Sequence, residues 1–434
     1  MLSIEDNELL TRTNAGTPMG ELFRRFWLPA LLPSELPGFD CPPIRLRLLG
    51  EDLVAFRDSN GSVGFFTQAC PHRGASIFFG RNEEEGLRCV YHGWKFDVTG
   101  ACVDMPSEPA ESNFKNKVRI KSYPSAEFGG LVWIYMGPPE KEPALPHYQW
   151  TLQPNAEDSR VSKHMQDSNY TQGLEGNIDS AHVTFLHRVF GQEHFLRGVP
   201  YVAPETTESR ETEFGFVYGA RRATPEPDEY YWRVTSYVFP TFTQIAGTTK
   251  TGGGIFVLPM DDEHSWWFMV QPPPTSEQEQ TARAVRGSSG PFAYVSQFDQ
   301  STLGLIPGSF RYLRNRDNDY LIDREKQKTL NYTGLPGNRT QDSAVTESMG
   351  AIYDRSQEHL GTTDVAVIHM RRVLIKMARD LQNGIEPPML RTPQSFRAIP
   401  QDVVSDKRTL AEVWDPYWAG FKAEAGIEAP PVSA

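Results

Sequence analysis

Between residues 44 and 137 apolar and polar positions alternate in short runs separated by glycine: "IRLRLLGEDLVAFRD", "SVGFFTQA", "LRCVYHGWKFD" and "VRIKSYPSAEFGGLVWIYMG". Alternation of period two, with β-branched residues between Gly turns, predicts a small all-β module. The preceding stretch, "GTPMGELFRRFWLPALLPSELPG", carries an apolar face at helical spacing and then turns rich in Pro and Gly. "GPPEKEPALP" at 137–146 is Pro-rich and charged and reads as a linker. Beyond it, helical patterns cover about 165–190 and 341–382, and strand patterns cover about 210–272. Residues 273–340 are weakly patterned and predict an irregular excursion, which in a compact domain is often functional. There is no internal repeat. The expected organisation is α+β in three units: a helical segment over 1–40, an all-β domain over 41–140 and a mixed domain over 141–434.

Composition narrows the classes. Across 434 residues, 43 Lys and Arg face 55 Asp and Glu, a net charge of -12. A nucleic-acid binder needs a basic face, so that class is disfavoured. No apolar run approaches the roughly 20 residues that span a bilayer, and "MLSIEDNELL" lacks a signal-peptide pattern. Four cysteines in so long a chain do not make a disulfide scaffold. These features lead us to expect a cytoplasmic protein without membrane or nucleic-acid partners.

Two of the four cysteines stand beside histidines. "CPHRG" gives Cys70-x-His72, and "CVYHGW" gives Cys89-x-x-His92. Four Cys/His ligands can hold structural zinc or an iron–sulfur cluster. Zinc knuckles usually pair Cys with Cys, whereas here each half supplies one of each. That mixture matches a [2Fe–2S] centre with two Cys on one iron and two His on the other. Cys41 and Cys102 have no ligand-like neighbours and read as ordinary thiols.

A second constellation follows in "LEGNIDSAHVTFLHR": Asp179, His182 and His187. Two His and one carboxylate with open positions is how a mononuclear non-heme Fe(II) site is built. The two histidines are five residues apart, about 140° around a regular helix, so they cannot face one metal from it. A π-bulge or helix break is therefore expected between them. His164, His194, His359 and His369 read as structural, with His359 the strongest exception, and His147 and His264 as linker and turn residues.

These motifs resemble those of the Rieske non-heme iron aromatic-ring oxygenases. "DNELLTRTNAGTPMGELFRRFWLPA", "GNIDSAHVTFLH", "VLPMDDEHSW" and "NRTQDSAVTESMGAIYDRSQEHLGTTD" extend the resemblance over nearly the whole chain, to the oxygenase components related to phthalate dioxygenase. The resemblance implies a Rieske domain joined to a helix-grip catalytic domain with an antiparallel sheet. It implies Cys70, His72, Cys89 and His92 as cluster ligands, and His182, His187 and Asp364 as ligands of Fe(II). Ala75 and Tyr91 stand where respiratory Rieske domains carry cross-linking cysteines, so the loops resemble the lower-potential type. Asp179 is implied as the electron bridge to His92 of the partner subunit, within a homotrimer or a pair of trimers. A separate reductase, holding the flavin and drawing on NADH, is implied, sometimes with a ferredoxin between.

The implied chemistry is oxidation of an aromatic acid with O₂. The reading leans to O-demethylation of a methoxylated lignin-derived acid, as in 5,5′-dehydrodivanillate O-demethylases, with cis-dihydroxylation of a phthalate- or benzoate-like acid as the alternative. An electron-transfer protein without catalysis is the reading from another class. A substrate carboxylate wants arginine; Arg197, Arg210 and Arg233 are candidates, with Arg221 and Arg222 beside them.

Overall fold

The computed structural model describes residues 1–109, 111–195, 199–246, 252–273 and 303–427. Two short helices open the chain: α1 (Ile4–Thr11), capped by the Ser3 hydroxyl, and α2 (Pro18–Phe23), capped by Thr17 with Pro in its first turn. They bury Leu10, Met19, Leu22 and Phe23 in the main core, where Phe23 meets Tyr170 edge to face. β1 (Trp27–Leu31) then joins a three-stranded sheet with β10 (Ser125–Phe128) and β11 (Leu131–Tyr135). The segment expected to end at residue 40 thus already contributes a strand to the next unit.

That unit contains two further four-stranded antiparallel sheets. One runs β2 (Ile44–Leu48), β3 (Glu51–Arg57), β4 (Val63–Thr67) and β9 (Ser122–Tyr123). Its alternation serves two cores: Leu53, Ala55 and Phe65 pack into the main one, while Val54, Phe56 and Phe66 turn to the other side. There they meet Ile77, Leu87, Trp94 and Phe96 beneath the second sheet, built from β5 (Arg81–Glu83), β6 (Gly86–Arg88), β7 (Lys95–Phe96) and β8 (Cys102–Asp104). The buried thiols of Cys70 and Cys89 belong to this smaller core.

The larger part is one eight-stranded antiparallel sheet gripped by helices. β12 (Arg160–Gln166) leads into α3 (Tyr170–Ile178). After a small pair, β13 (His194–Phe195) and β14 (Val199–Pro200), come β15 (Thr206–Thr212), β16 (Gly215–Ala223), β17 (Tyr230–Val238), β18 (Phe242–Gln244), β19 (Gly254–Pro259) and β20 (Ser265–Gln271). They lie in that order, with β12 returning beside β20 and β21 (Gln401–Ser405) pairing with the start of β17. Of the expected irregular excursion, residues 274–302 lie outside the described residues. The described remainder holds the short α4 (Arg324–Thr329) and then α5 (Asn338–Ser348). α6 (Val365–Gln382) buries Ala366, Met370, Leu374 and Ala378 along one stripe, and α7 (Leu410–Ala425) closes the chain's described part. The predicted helix over 341–382 is therefore two helices, separated by an irregular stretch.

α3 sits directly on the sheet. Gly173 faces Trp267 of β20, and a Cβ at 173 would stand 2.5 Å from the indole Cζ2. Among the described residues no helix is long and apolar enough to cross a membrane.

Candidate metal centres

The two Cys/His loops are built alike. In the first, the Gly74 N–H donates to the Cys70 carbonyl and the Cys70 N–H to the Ala75 carbonyl, both at 2.8 Å. In the second, Gly93 donates to Cys89 and Cys89 to Trp94, both at 2.9 Å. Gly74 and Gly93 both have positive φ, 75° and 78°, which lets each turn close beside its cysteine. The loops meet: the His72 and His92 rings lie 4.4 Å apart, and His72 stacks on Trp94 at 4.3 Å. Cys70 and Cys89 are each 2% exposed and carry no disulfide. Burial pushes the Cys70 thiol up to about 11 in the absence of a metal charge. Nδ1 of His72 is buried with no hydrogen-bond partner. Two buried thiols beside an orphaned imidazole nitrogen suit a soft cluster that neutralises both sulfurs, so the donor set fits [2Fe–2S].

The second centre begins where α3 ends. Asp179 leaves the helix in extended conformation, and its Oδ1 accepts the Ala181 N–H at 2.6 Å, an Asx turn that redirects the backbone. His182–Thr184 then forms a single 3₁₀ turn. The expected break between the histidines takes another form: regular helix stops at Ile178, ahead of both, and His182 sits on a separate 3₁₀ turn that ends at Thr184, before His187. Their Nε2 atoms consequently lie 3.2 Å apart. Arg222 fastens this corner from below, donating to the Ser180 carbonyl at 2.6 Å and to the Val202 carbonyl at 3.0 Å.

The carboxylate that joins the histidines is Asp342 of α5, which corrects the expectation of Asp364. Asp342 Oδ1 is 3.1 Å from His187 Nε2 and 3.7 Å from His182 Nε2. Among the described residues, His182, His187 and Asp342 form a group whose ligand atoms lie close enough to share an ion. Asp364 instead accepts the Gly361 N–H at 2.6 Å, closing a turn at the start of α6, where a negative charge suits the helix dipole. Adjacent positions of an octahedron with bonds of about 2.1 Å are about 3 Å apart. The three separations match one face of it, so the residues fit a mononuclear iron.

The surroundings set each ligand's role. His187 Nδ1 lies 2.7 Å from Gln341 Oε1, and Gln341 is itself held by donating to the Leu335 carbonyl. An oxygen can only accept, so the proton is on Nδ1 and the Nε2 lone pair faces Asp342. Asp179 Oδ2 lies 3.4 Å from His182 Nδ1 and fixes that ring in the same sense. Burial alone would raise the Asp342 carboxyl, but Arg339, His187 and His182 outweigh it and hold it below the ordinary aspartate range. Gln341, Asp342 and Arg339 were not foreseen. The available signal was polar residues at helical spacing in "NRTQDSAVTES", a pattern that otherwise means a solvated face.

The candidate arginines separate. Arg197 lies outside the described residues. Arg210 is on the surface, paired with Asp415, and is not part of a buried pocket. Arg221 pairs with Glu205 and lies over Tyr230. Arg233, 6% exposed, points Nη1 at the Ser180 hydroxyl from 3.5 Å. Among the described residues, no hydrogen bond joins His92 to Asp179 within the chain.

Residues 26–124 match the Rieske [2Fe-2S] domain, and residues 134–413 match the domain described as LigXa C-terminal domain like. The chain is 40% identical to the 3-chlorobenzoate-3,4-dioxygenase oxygenase subunit of Comamonas testosteroni, over 89% of this chain and 91% of that protein. It is 39% identical to the phthalate 4,5-dioxygenase oxygenase subunit of Pseudomonas putida, over 88% of each. Identity to the 5,5′-dehydrodivanillate O-demethylase oxygenase subunit of a Sphingobium species is 31%, over 95% of this chain and 90% of that protein. Dicamba monooxygenase shares the fold, with a TM-score of 0.55 at 18% identity over 83% of this chain and 98% of that one.

Proposed function

Because the chain belongs to the Rieske non-heme iron oxygenases, as the terminal oxygenase subunit of a multicomponent system, we propose that it oxidises an aromatic carboxylate at the centre formed by His182, His187 and Asp342. The convergence of those three ligand atoms at 3.1–3.7 Å, in a chain that also carries a Cys/His cluster site, carries this reading. Bound at these residues, the cluster would supply single electrons and the iron would activate O₂. Three protein ligands on one face leave the opposite positions open. Asp179 and Gln341 hold the imidazoles in the ligating tautomer, and Arg222 and Arg233 hold the corner that carries Asp179. A reductase drawing on NADH supplies the electrons, and a ferredoxin is a second route. Half-exposed His92 and the Asp179 corner would meet across a subunit boundary in a head-to-tail trimer.

The relatives at 40% and 39% identity are named as dioxygenases of 3-chlorobenzoate and phthalate, and they favour cis-dihydroxylation of a benzoate-like ring. O-demethylation of a methoxylated acid is the second reading, supported by the relative at 31%. The test is turnover with a surrogate reductase, NADH and a panel of 3-chlorobenzoate, phthalate and vanillate. A diol without formaldehyde is expected. Formaldehyde from vanillate alone would establish the second reading, and no oxidation of any acid would overturn both.

Asp179→Asn keeps the size of the side chain but loses its charge and one acceptor. Both metals should remain, and reduction of the cluster by the reductase should stay near normal. Re-oxidation of the pre-reduced cluster with substrate and O₂ should slow by about 10–100-fold or more, the usual cost of losing such a partner. A wild-type rate in that single-turnover measurement would reduce Asp179 to a former of the turn.

A further inference from the structure

The two oxygens of Asp342 face different groups. Oδ1 faces the histidines, while Arg339 Nη2 lies 2.6 Å from Oδ2. The Arg339 guanidinium in turn lies over Trp267, 5.1 Å from the ring centre. Trp267 pairs in register with His164 of β12, and the two rings stack at 5.6 Å. His164 meets Tyr312 at 4.7 Å. Gln166, on the same face of β12 as His164, donates to Ser343 beside Asp342. These side chains form one continuous group reaching from the floor of the sheet to the metal carboxylate.

The group is buried and polar, and its polar atoms are unmatched. His164 is 0% exposed, Trp267 1% and Tyr312 8%. Among the described residues no partner reaches either ring nitrogen of His164, the Trp267 Nε1–H, the Tyr312 hydroxyl, Nε or Nη1 of Arg339, or Oε1 of Gln166. Buried polar groups are ordinarily paired, because an unpaired one is destabilising. Several orphans in one place therefore leave a cluster of polar atoms that a ligand's polar atoms could satisfy. The indole, phenol and guanidinium groups are donors, so the complementary ligand is rich in acceptors. Flat rings around a guanidinium suit an aromatic ring bearing an oxyanion. His164 supports this as a neutral group: burial, with Arg339 beside it, holds it well below the usual histidine range, so it can donate at one nitrogen and accept at the other.

We propose that His164, Trp267, Tyr312 and Arg339 form the subsite for the carboxylate of the aromatic acid, with Arg339 joining that carboxylate to the Asp342 that holds the metal. This rests on the aromatic-acid reading above. It differs from the sequence expectation, which sought the anchor among Arg197, Arg210 and Arg233. Arg339 has two free donor positions for the substrate and one for Asp342, a sharing that lysine, with its single point charge, cannot reproduce.

The test is anaerobic calorimetric titration of the holoprotein with 3-chlorobenzoate and with 3-chlorotoluene, which keeps the ring but lacks the acceptor. Tyr312→Phe and Arg339→Lys should each weaken 3-chlorobenzoate binding about tenfold or more, as expected for lost hydrogen bonds to a charged group. The affinity for 3-chlorotoluene should stay within about twofold of wild type, and with retained iron this excludes misfolding. Unchanged acid binding in both variants, or weakening only in Arg233→Lys, overturns the subsite while leaving the aromatic-acid reading intact. A wild-type protein that neither binds nor oxidises any aromatic acid overturns that reading, and this inference with it.

Discussion

Asp342→Ala should yield a protein that keeps its red-brown cluster but holds no mononuclear iron and turns over no substrate, whereas Asp364→Ala should retain all three. Removing Asp342 leaves two neutral imidazoles with no anionic ligand, and a dication held by histidines alone is far less well neutralised. The same change also strands Arg339, whose Nη2 is 2.6 Å from Oδ2. Asp364 by contrast closes a turn through the Gly361 N–H, so its loss costs local helix-end stability only. Iron analysis separates the outcomes, with about two irons per chain for a cluster alone and about three when the mononuclear site is filled. Full iron and turnover in the Asp342 variant, or their loss in the Asp364 variant, would return the ligand role to the downstream aspartate.

Cys89→Ser should have an equally complete effect at the other centre. The colour and the Rieske-type signal of the reduced protein should vanish, and turnover with a reductase should cease while mononuclear iron stays. A serine hydroxyl is a hard, scarcely ionised donor, and the cluster iron wants thiolate. The fold around residue 89 should tolerate the change. The turn is closed by backbone bonds, Gly93 to Cys89 and Cys89 to Trp94, which do not use the side chain. Metal analysis that finds one tetrahedral zinc in the wild-type loops would defeat this reading.

The two sites were legible to different depths. Cysteines and histidines are scarce, and their spacing within each loop survives folding unchanged, so the cluster ligands and the His182–His187 pair stood out. The alternation over 44–137 was equally readable, because each strand feeds two cores with opposite faces. Asp342 was hidden by the opposite circumstance. α5 buries Gln341, Asp342, Ser343, Thr346 and Glu347, a polar face turned inward. Periodicity looks for an apolar stripe and takes such a face for a solvated one. The distinctive "EHLGTTD" then drew the assignment to Asp364. The orphaned donors around His164 were beyond reach for a related reason: they gather from two strands, a loop and a helix that only the tertiary fold brings together.

Gly173 has a consequence for the spacing of the whole site. The stand-off between α3 and the sheet is set by a hydrogen atom, since a methyl there would sit 2.5 Å from Trp267 Cζ2. Relief would require either the helix to lift or the indole to swing. A lifted helix carries Asp179 and His182 with it, because both follow within four residues of its last turn. A swung indole moves the wall on which Arg339 and His164 rest. Either way one added carbon would shift a gauge length that the His182 corner and the Trp267 wall share, so this position acts as a shim whose thickness is fixed at the thinnest value the genetic code allows.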